Sequence, residues 1–253
     1  MLTSDGEVFH SFYAGKLQKL HFTSMRSYVA FGHGFKFWTY DQIKAPCGIE
    51  VCDASEIVPV ELYELWMGLS HRRKFQNFSN YFRYLLIAKK GGWWVDVDSV
   101  CIKKHCFEED YVFSTIDAPI WPELKGIVKN GNIPNGVFKA PKNAPFLLEL
   151  VDSLEPDFLT GTSNDFGQWG AIAFSKSIYG NNVQQYQEKG GSTFIPFSPR
   201  ESVKMFIPNQ ELPDAHAVHF FESFYPKIIS GEEEAGENSI YSQLIKKFCP
   251  KIT

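Results

Sequence analysis

An α/β domain, built on a mixed, mainly parallel sheet with helices on its faces, is the fold this sequence predicts. Three observations predict it. Strand-like and helix-like segments alternate along the 253 residues, with no repeat, low-complexity tract or long linker between them. The chain opens on strand, helix and strand within about 35 residues, the length of a βαβ unit. A helix running into Gly91-Gly92 then feeds an apolar strand that ends in two carboxylates, and open α/β sheets bind ligands at the carboxyl ends of their strands.

Taken in order, Glu7 to Tyr13 reads as the first strand, ended by Gly15. Leu17 to Phe31 reads as a helix because Leu17 and Leu20, then Met25, Tyr28 and Val29, fall at three- and four-residue intervals. Gly32 and Gly34 stop it, and Phe35 to Thr39 alternates as a strand. Gly48 to Val51 is a short strand between Cys47 and Cys52, and Ser79 caps a helix that runs to Lys90. Trp93 to Val97 is a buried strand, followed by strands at Tyr111 to Ile116 and Val137 to Ala140. Asn143 caps a helix with Pro145 in its first turn, extending to about Leu154. A helix over Trp169 to Ile178, strands at Thr193 to Phe197 and Ala217 to Phe221, and a helix over Ser239 to Phe248 complete the chain. No composition shift marks a boundary, so one domain is expected over residues 1–253.

Hydrophobic residues at 44% and charged residues at 21% describe a globular chain, and 16% aromatics promise a core rich in rings. A net charge of −4 supplies no basic field for nucleic acid, which is excluded as a partner. No apolar run approaches the roughly 18–20 residues that span a bilayer. Met1 to Gly6 carries neither a basic nor an apolar secretion signal, so a cytoplasmic setting is expected. Five cysteines are too few for a disulfide scaffold. Cys47 with Cys52 and Cys101 with Cys106, beside His105, have spacings at the edge of zinc knuckles, but read as buried free thiols. Glu232-Glu233-Glu234 reads as a solvated loop.

The chemistry concentrates in Phe78 to Asp98. Asn80 and Arg83, three apart on a helix, project from one face, with Phe78, Phe82, Leu85 and Leu86 on the opposite one. Asp96 and Asp98, two apart on a strand, point to the same side. Such a pair makes a hard oxygen site for Mg²⁺ or Mn²⁺, with phosphate oxygens completing the shell. A metal there neutralises a leaving diphosphate, the need of a nucleotide-sugar transferase. An isolated D-x-D is usually a solvated turn. Here it ends the bulky run Trp93-Trp94-Val95, where two carboxylates need a partner.

The stretch Phe78 to Cys101 resembles the signature of the D-x-D sugar-transferase superfamily, which includes fungal initiating mannosyltransferases, lactosylceramide galactosyltransferases, bacterial capsule glycosyltransferases and glucosylating clostridial toxins. The shared pattern is a small residue, Asp, two apolar residues, Arg-Tyr, a helix, Gly-Gly, an aromatic pair and D-x-D. Asn80 stands where Asp is most frequent and keeps a carbonyl acceptor without the charge. A looser likeness spans about residues 7 to 225. It takes in Phe9 to Gly15, His33-Gly34 through Tyr40, Asp53-Ala54, Asn135-Gly136-Val137 with Ala140-Pro141, and Ala217-Val218-His219.

The resemblance implies a glycosyltransferase A fold, a single Rossmann-like domain, and retaining transfer of a hexose from a nucleotide diphosphate sugar, UDP-linked by first expectation, to a saccharide or glycolipid acceptor. It implies Mn²⁺ or Mg²⁺ held by Asp96, Asp98 and His219, with Glu222 the other candidate for completing the shell. Arg83 and Asn80 would orient the donor, Tyr13 would stack its base, and Asn135 would line the sugar pocket. Asp96, Asp98 and Arg83 are thus the expected catalytic set. Peripheral membrane contact is compatible with a lipid-linked acceptor.

Other readings of the same residues stand beside this one. Arg83 could be a salt-bridge partner of Asp96, His219 a satisfied core histidine, and Tyr13 a core ring. Trp169 and Asp165 could border an acceptor groove, or Trp169 could be core. Val95 to Val100 also fits a haloacid-dehalogenase-type phosphatase, with Asp96 as nucleophile, Asp98 as general acid and Tyr111 to Thr115 as a second motif. Against it, the motif lies deep in the chain, and no Gly-Asp-x-x-x-Asp follows. A non-catalytic nucleotide-sugar-binding module is the remaining alternative, supported only by Asn80.

Overall fold

The computed structural model describes residues 7–44, 46–70, 73–116, 122–127, 131–162, 169–181, 183 and 193–249; Met1 to Gly6 and Asp165 lie outside them. The elements run β1 (Val8–Phe12), α1 (Lys19–Ala30), β2 (Gly34–Thr39), β3 (Ile49–Asp53), α2 (Val60–Gly68), α3 (Lys74–Lys90) and β4 (Gly92–Val95). They continue with β5 (Ser99–Cys101), β6 (Val137–Ala140), α4 (Pro145–Thr160), α5 (Ala171–Gly180), β7 (Ala217–His219), α6 (Pro226–Ser230) and α7 (Ile240–Phe248).

A five-stranded sheet has the order β3-β2-β1-β4-β6. The first four strands are parallel, and β6 closes the edge antiparallel to β4 with Val95 opposite Val137. This is the mixed, mainly parallel sheet the alternating pattern predicts. Strand alternation divides the core: Trp93 stacks on Phe9 at 5.2 Å on one face, while Trp94 joins Phe12, Phe82 and Phe138 on the other. Phe12 and Phe82 stack at 4.2 Å, fixing α3 over β1. A separate antiparallel ribbon pairs β5 with β7, Ser99 lying opposite His219. Buried serines of α1 hold that ribbon: Ser24 Oγ donates to the Ser99 carbonyl at 2.6 Å, and the Cys101 N–H donates to Ser27 Oγ at 2.8 Å.

Several local expectations are corrected. The helix α3 begins at Lys74, so Ser79 lies inside it rather than at its cap. The strand β4 ends at Val95; Asp96 begins a turn closed by Ser99 N–H to Asp96 O at 2.9 Å, because Asp96 N–H is taken by Gly136 O at 2.8 Å. Tyr111 to Ile116 forms only isolated bridges, Val112 to Lys139 and Ile116 to Asn132. Ala144, not Asn143, is the N-cap of α4, and this helix continues through Pro156 to Thr160. Thr193 to Phe197 is not a strand; the Thr193 carbonyl instead accepts from His216 N–H at 2.7 Å. The strand β7 stops at His219 because Phe221 adopts a left-handed conformation with φ of 51°. The helix α2 has no counterpart in the sequence reading. No helix among the described residues is long and apolar enough to cross a membrane.

The turn between α3 and β4 sets the approach of Asp96 to the sheet edge, and it rests on Gly91. That residue has φ of 71°, and a Cβ there would lie 2.7 Å from the Lys142 backbone nitrogen. Gly91→Ala is therefore expected to lower the unfolding free energy by about 2 kcal/mol or more, from left-handed strain plus a backbone clash. Urea denaturation checks this, and an unchanged midpoint at unchanged slope would contradict it.

Candidate functional site

Because β1 and β4 are parallel neighbours, the residues that follow them emerge on one edge of the sheet. Tyr13 comes from the first, and Asp96-Val97-Asp98 from the second. A cleft of about 1310 Å³ opens there, and its walls include Tyr13, Asn80, Arg83, Asp96, Asp98, Asn135, Glu222 and His219. The candidate residues read from the sequence thus meet in one place, although the two aspartates lie on a turn instead of a strand.

At the centre, His219 Nε2 is 3.0 Å from Asp98 Oδ1 and 3.7 Å from Asp96 Oδ2. One ligand atom from each of Asp96, Asp98 and His219 falls within 4.8 Å of the other two. The register of β5 with β7 produces this convergence, since His219 lies opposite Ser99, the residue after Asp98. Asp98 Oδ2 also accepts the Glu222 N–H at 2.8 Å. Burial pushes Asp98 up, but His219 and that N–H outweigh it and hold the carboxyl down at about 2. Burial raises Asp96 above the usual carboxylate range against the opposing pull of Arg83 and His219. For His219, burial favours the neutral ring, yet the charges of Asp98 and Asp96 prevail and raise its pKa.

His219 Nδ1 is buried without a hydrogen-bond partner, and the ring lies against Phe221 at 4.3 Å. A Cβ on Gly136 would stand 2.9 Å from Asp96 Oδ2 and 3.2 Å from His219 Cε1, so the glycine just before β6 leaves room for both side chains in their present positions. Two carboxylates and one imidazole around a point suit a divalent ion of the Mn²⁺ type.

Arg83 Nη1 bridges Asp96 Oδ1 at 3.0 Å and the Asn135 carbonyl at 2.6 Å, with its guanidinium 4.9 Å from the Trp94 ring. The salt bridge named as one reading of Arg83 is therefore present, and it lies inside the cleft. Trp94 Nε1 donates to the same Asp96 oxygen at 2.9 Å. Asn135 Nδ2 donates to Asn80 Oδ1 at 2.9 Å and to the Tyr84 hydroxyl at 2.6 Å. Asn80 thus serves as an acceptor, a role its amide fills without a charge. The Tyr13 ring packs on His21 at 4.5 Å, and burial, then Glu222 and Asp98, push its phenol up to about 12.

The sequence reading missed His21 and Phe221. His21 Nδ1 accepts the Gln18 N–H at 3.2 Å, so the proton sits on Nε2, which donates to Glu222 Oε2 at 3.0 Å. The partners are 201 residues apart, and no local pattern announces them. Glu222 directs its side chain to His21, whereas His219 is the residue that meets both aspartates. Trp169 is core, packed on Trp66 at 5.3 Å. The cysteines do not form two buried pairs: Cys47 and Cys106 are exposed, while Cys101 and Cys249 are buried.

No family model and no curated protein matches this sequence. Among solved structures, a PaToxG glycosyltransferase is similar with a TM-score of 0.51 and 15% identity, over 70% of this chain and 69% of that one. The apo-form glycosyltransferase GlyE of Streptococcus pneumoniae TIGR4 has a TM-score of 0.41 and 11% identity, over 85% of this chain and 54% of that one. The first likeness shows the fold, an α/β architecture of the glycosyltransferase A type.

The Arg83 side chain is 8% exposed and that of Asp96 22%, so removing one partner leaves the other charge poorly solvated. Arg83→Ala is expected to cost about 3 kcal/mol of stability. The double change Arg83→Met with Asp96→Asn should recover most of that loss. Additive losses in a chemical-denaturation cycle would contradict the pairing.

Proposed function

We propose that this chain is a metal-dependent glycosyltransferase that moves a hexose from a UDP-linked sugar to a saccharide or glycolipid acceptor with retention of configuration. The observation that carries the reading is the meeting of Asp96, Asp98 and His219 at the carboxyl edge of a parallel sheet, inside a cleft large enough for a donor and an acceptor together. Retention rests on the resemblance of Phe78 to Cys101 to the D-x-D transferases.

Asp96, Asp98 and His219 would hold Mn²⁺ or Mg²⁺, and a divalent ion there supplies the positive charge that a departing diphosphate needs. Without it, two carboxylates repel the diphosphate. Arg83, fixed between Asp96 and the Asn135 carbonyl, places a rigid cation on the cleft wall and orients donor oxygens. Asn80 and Asn135 hold each other and present amide groups to sugar hydroxyls. Tyr13 offers a flat ring for the base.

The phosphatase reading needs Asp96 as a free nucleophile. Instead, Asp96 Oδ1 is engaged by Arg83 and by Trp94 N–H, and Oδ2 faces His219, an arrangement that favours binding over attack. Asn80 keeps an acceptor at its position, accepting from Asn135 Nδ2 at 2.9 Å, and turnover of a nucleotide sugar separates this reading from a non-catalytic binding module.

UDP is expected to stabilise the fold only when Mn²⁺ or Mg²⁺ is present, by about 2.7 kcal/mol at a ligand concentration of 100 times Kd. In the same buffer, one of a set of UDP- and GDP-sugars should release its nucleotide. Asp98→Asn should abolish both effects while the unliganded protein stays folded. Thermal melting and nucleotide-release assays check this. Vanadate-sensitive hydrolysis of phosphomonoesters with no nucleotide effect would overturn the reading.

A further inference from the structure

His21, fully buried on α1, joins two ends of the cleft. Its ring packs on that of Tyr13 at 4.5 Å, and its Nε2–H donates to Glu222 Oε2 at 3.0 Å. Its tautomer is fixed from the other side, where Nδ1 accepts the Gln18 N–H at 3.2 Å. Glu222 in turn donates its backbone N–H to Asp98 Oδ2 at 2.8 Å. The side chain of Glu222 is thus tied to the residue beneath Tyr13, and its backbone to the carboxylate centre. The Tyr13 phenol, pushed up by burial and then by Glu222 and Asp98, registers both carboxylates. Glu222 therefore stands between the aromatic ring at one end of the cleft and Asp98 at the other.

The Glu222 side chain is 26% exposed and forms part of the cleft wall. His21 holds Oε2, while Oε1 accepts no hydrogen bond among the described residues. Glu222 is not in the group of ligand atoms that Asp96, Asp98 and His219 bring together, so its carboxylate has another use. A carboxylate oxygen only accepts, and it selects a partner that donates. In a nucleoside diphosphate the ribose joins the base to the phosphates and carries two hydroxyl donors. With the base on Tyr13 and the diphosphate at the cation, that sugar falls beside Glu222. A carboxylate that reads a ribose hydroxyl is also how α/β dinucleotide sites recognise their ligand.

We propose that Glu222, held by His21, accepts a ribose hydroxyl of the donor nucleotide and makes the cleft selective for ribonucleotides over their deoxy counterparts. This rests on the reading of the cleft as a nucleotide-sugar site, and it gives Glu222 a part distinct from cation binding. The bond to His21 fixes the carboxylate before the ligand arrives, so less side-chain freedom is lost on binding. A hydrogen bond to a charged acceptor is also stronger than one between neutral groups.

The test is calorimetric titration of the full chain, in Mn²⁺, with UDP, 2′-deoxy-UDP and 3′-deoxy-UDP. Wild type should bind at least one deoxy nucleotide about tenfold or more weakly than UDP. Glu222→Ala should bring UDP down to the affinity of that analogue, a ratio near one. Binding of Mn²⁺ alone should be unchanged in this variant, because the bond to Asp98 comes from the backbone. Glu222→Gln keeps the shape: the His21 N–H takes the amide oxygen, an NH₂ group faces the ribose, and the ratio should fall well below wild type. His21→Phe keeps a ring under Tyr13 without the N–H and should lower the ratio as well. Each ratio compares two ligands on one protein, so a general loss of stability does not move it. Wild type that binds UDP and both deoxy forms equally overturns the inference and leaves the donor reading intact. So does a wild-type ratio in Glu222→Ala or Glu222→Gln, or a loss of Mn²⁺ binding in Glu222→Ala, which would make Glu222 a metal ligand. An unchanged ratio in His21→Phe overturns the part given to His21. Failure of wild type to bind UDP at all with Mn²⁺ present overturns the donor reading, and this inference with it.

Discussion

The pairing of Asp98 with His219 is the constraint on which this structure turns. A carboxylate on the turn that leaves a buried strand is costly to desolvate, and a second one two residues away adds repulsion. The fold meets that demand with a ribbon rather than with the main sheet. The strand β7 delivers His219 opposite Ser99, and the chain beyond it delivers the Glu222 N–H to the other Asp98 oxygen. Arg83, arriving from α3, compensates Asp96. His219 and the Glu222 N–H thereby hold the Asp98 carboxyl down, whereas burial raises that of Asp96. Two carboxylates and an imidazole converging on one point suit a divalent cation.

The surroundings read as consequences of that pairing. Serines on α1 fix β5 from behind, so the partner of β7 cannot drift. Gly136, just before β6, leaves room for Asp96 and His219 where a Cβ would press on both. Phe221 takes a left-handed conformation, unfavourable for an aromatic residue, and in doing so ends β7 and lays its ring on His219. The His21 to Glu222 bond then anchors the following segment to α1. Strain at Phe221 is sustained because the bonds on either side of it, Phe220 N–H to the Asp98 carbonyl and Glu222 N–H to the Asp98 side chain, both end on one residue.

The sheet, its central strands and the cleft-facing side of α3 were legible because each follows from local periodicity. The spacing of Asn80 and Arg83, the double glycine and the carboxylates of D-x-D are all short-range patterns. Other features depend on distant partners. Where β4 stops is set by Gly136 taking the Asp96 N–H, forty residues downstream in sequence and invisible to alternation. Helix α3 starts before Ser79 because Phe75 and Phe78 pack on Phe12, a tertiary gain that overrides a capping signal. The segment from Thr193 to Phe197 has the composition of a strand, but the Thr193 carbonyl accepts from both the His216 and Ala217 N–H groups at the start of β7, and no ladder continues from it among the described residues. His21 carries no signal at all, since its role exists only once Glu222 has been brought to it.

The central claim, that Asp96, Asp98 and His219 together form the cation site through which a nucleoside diphosphate binds, is tested most directly by electron paramagnetic resonance of added Mn²⁺. The account predicts a bound ion showing hyperfine coupling to one imidazole nitrogen, binding more tightly when UDP is added. The nitrogen coupling should vanish in His219→Ala, and the site itself should vanish in Asp98→Asn. Bound Mn²⁺ that shows only oxygen ligands and is indifferent to both substitutions would contradict it.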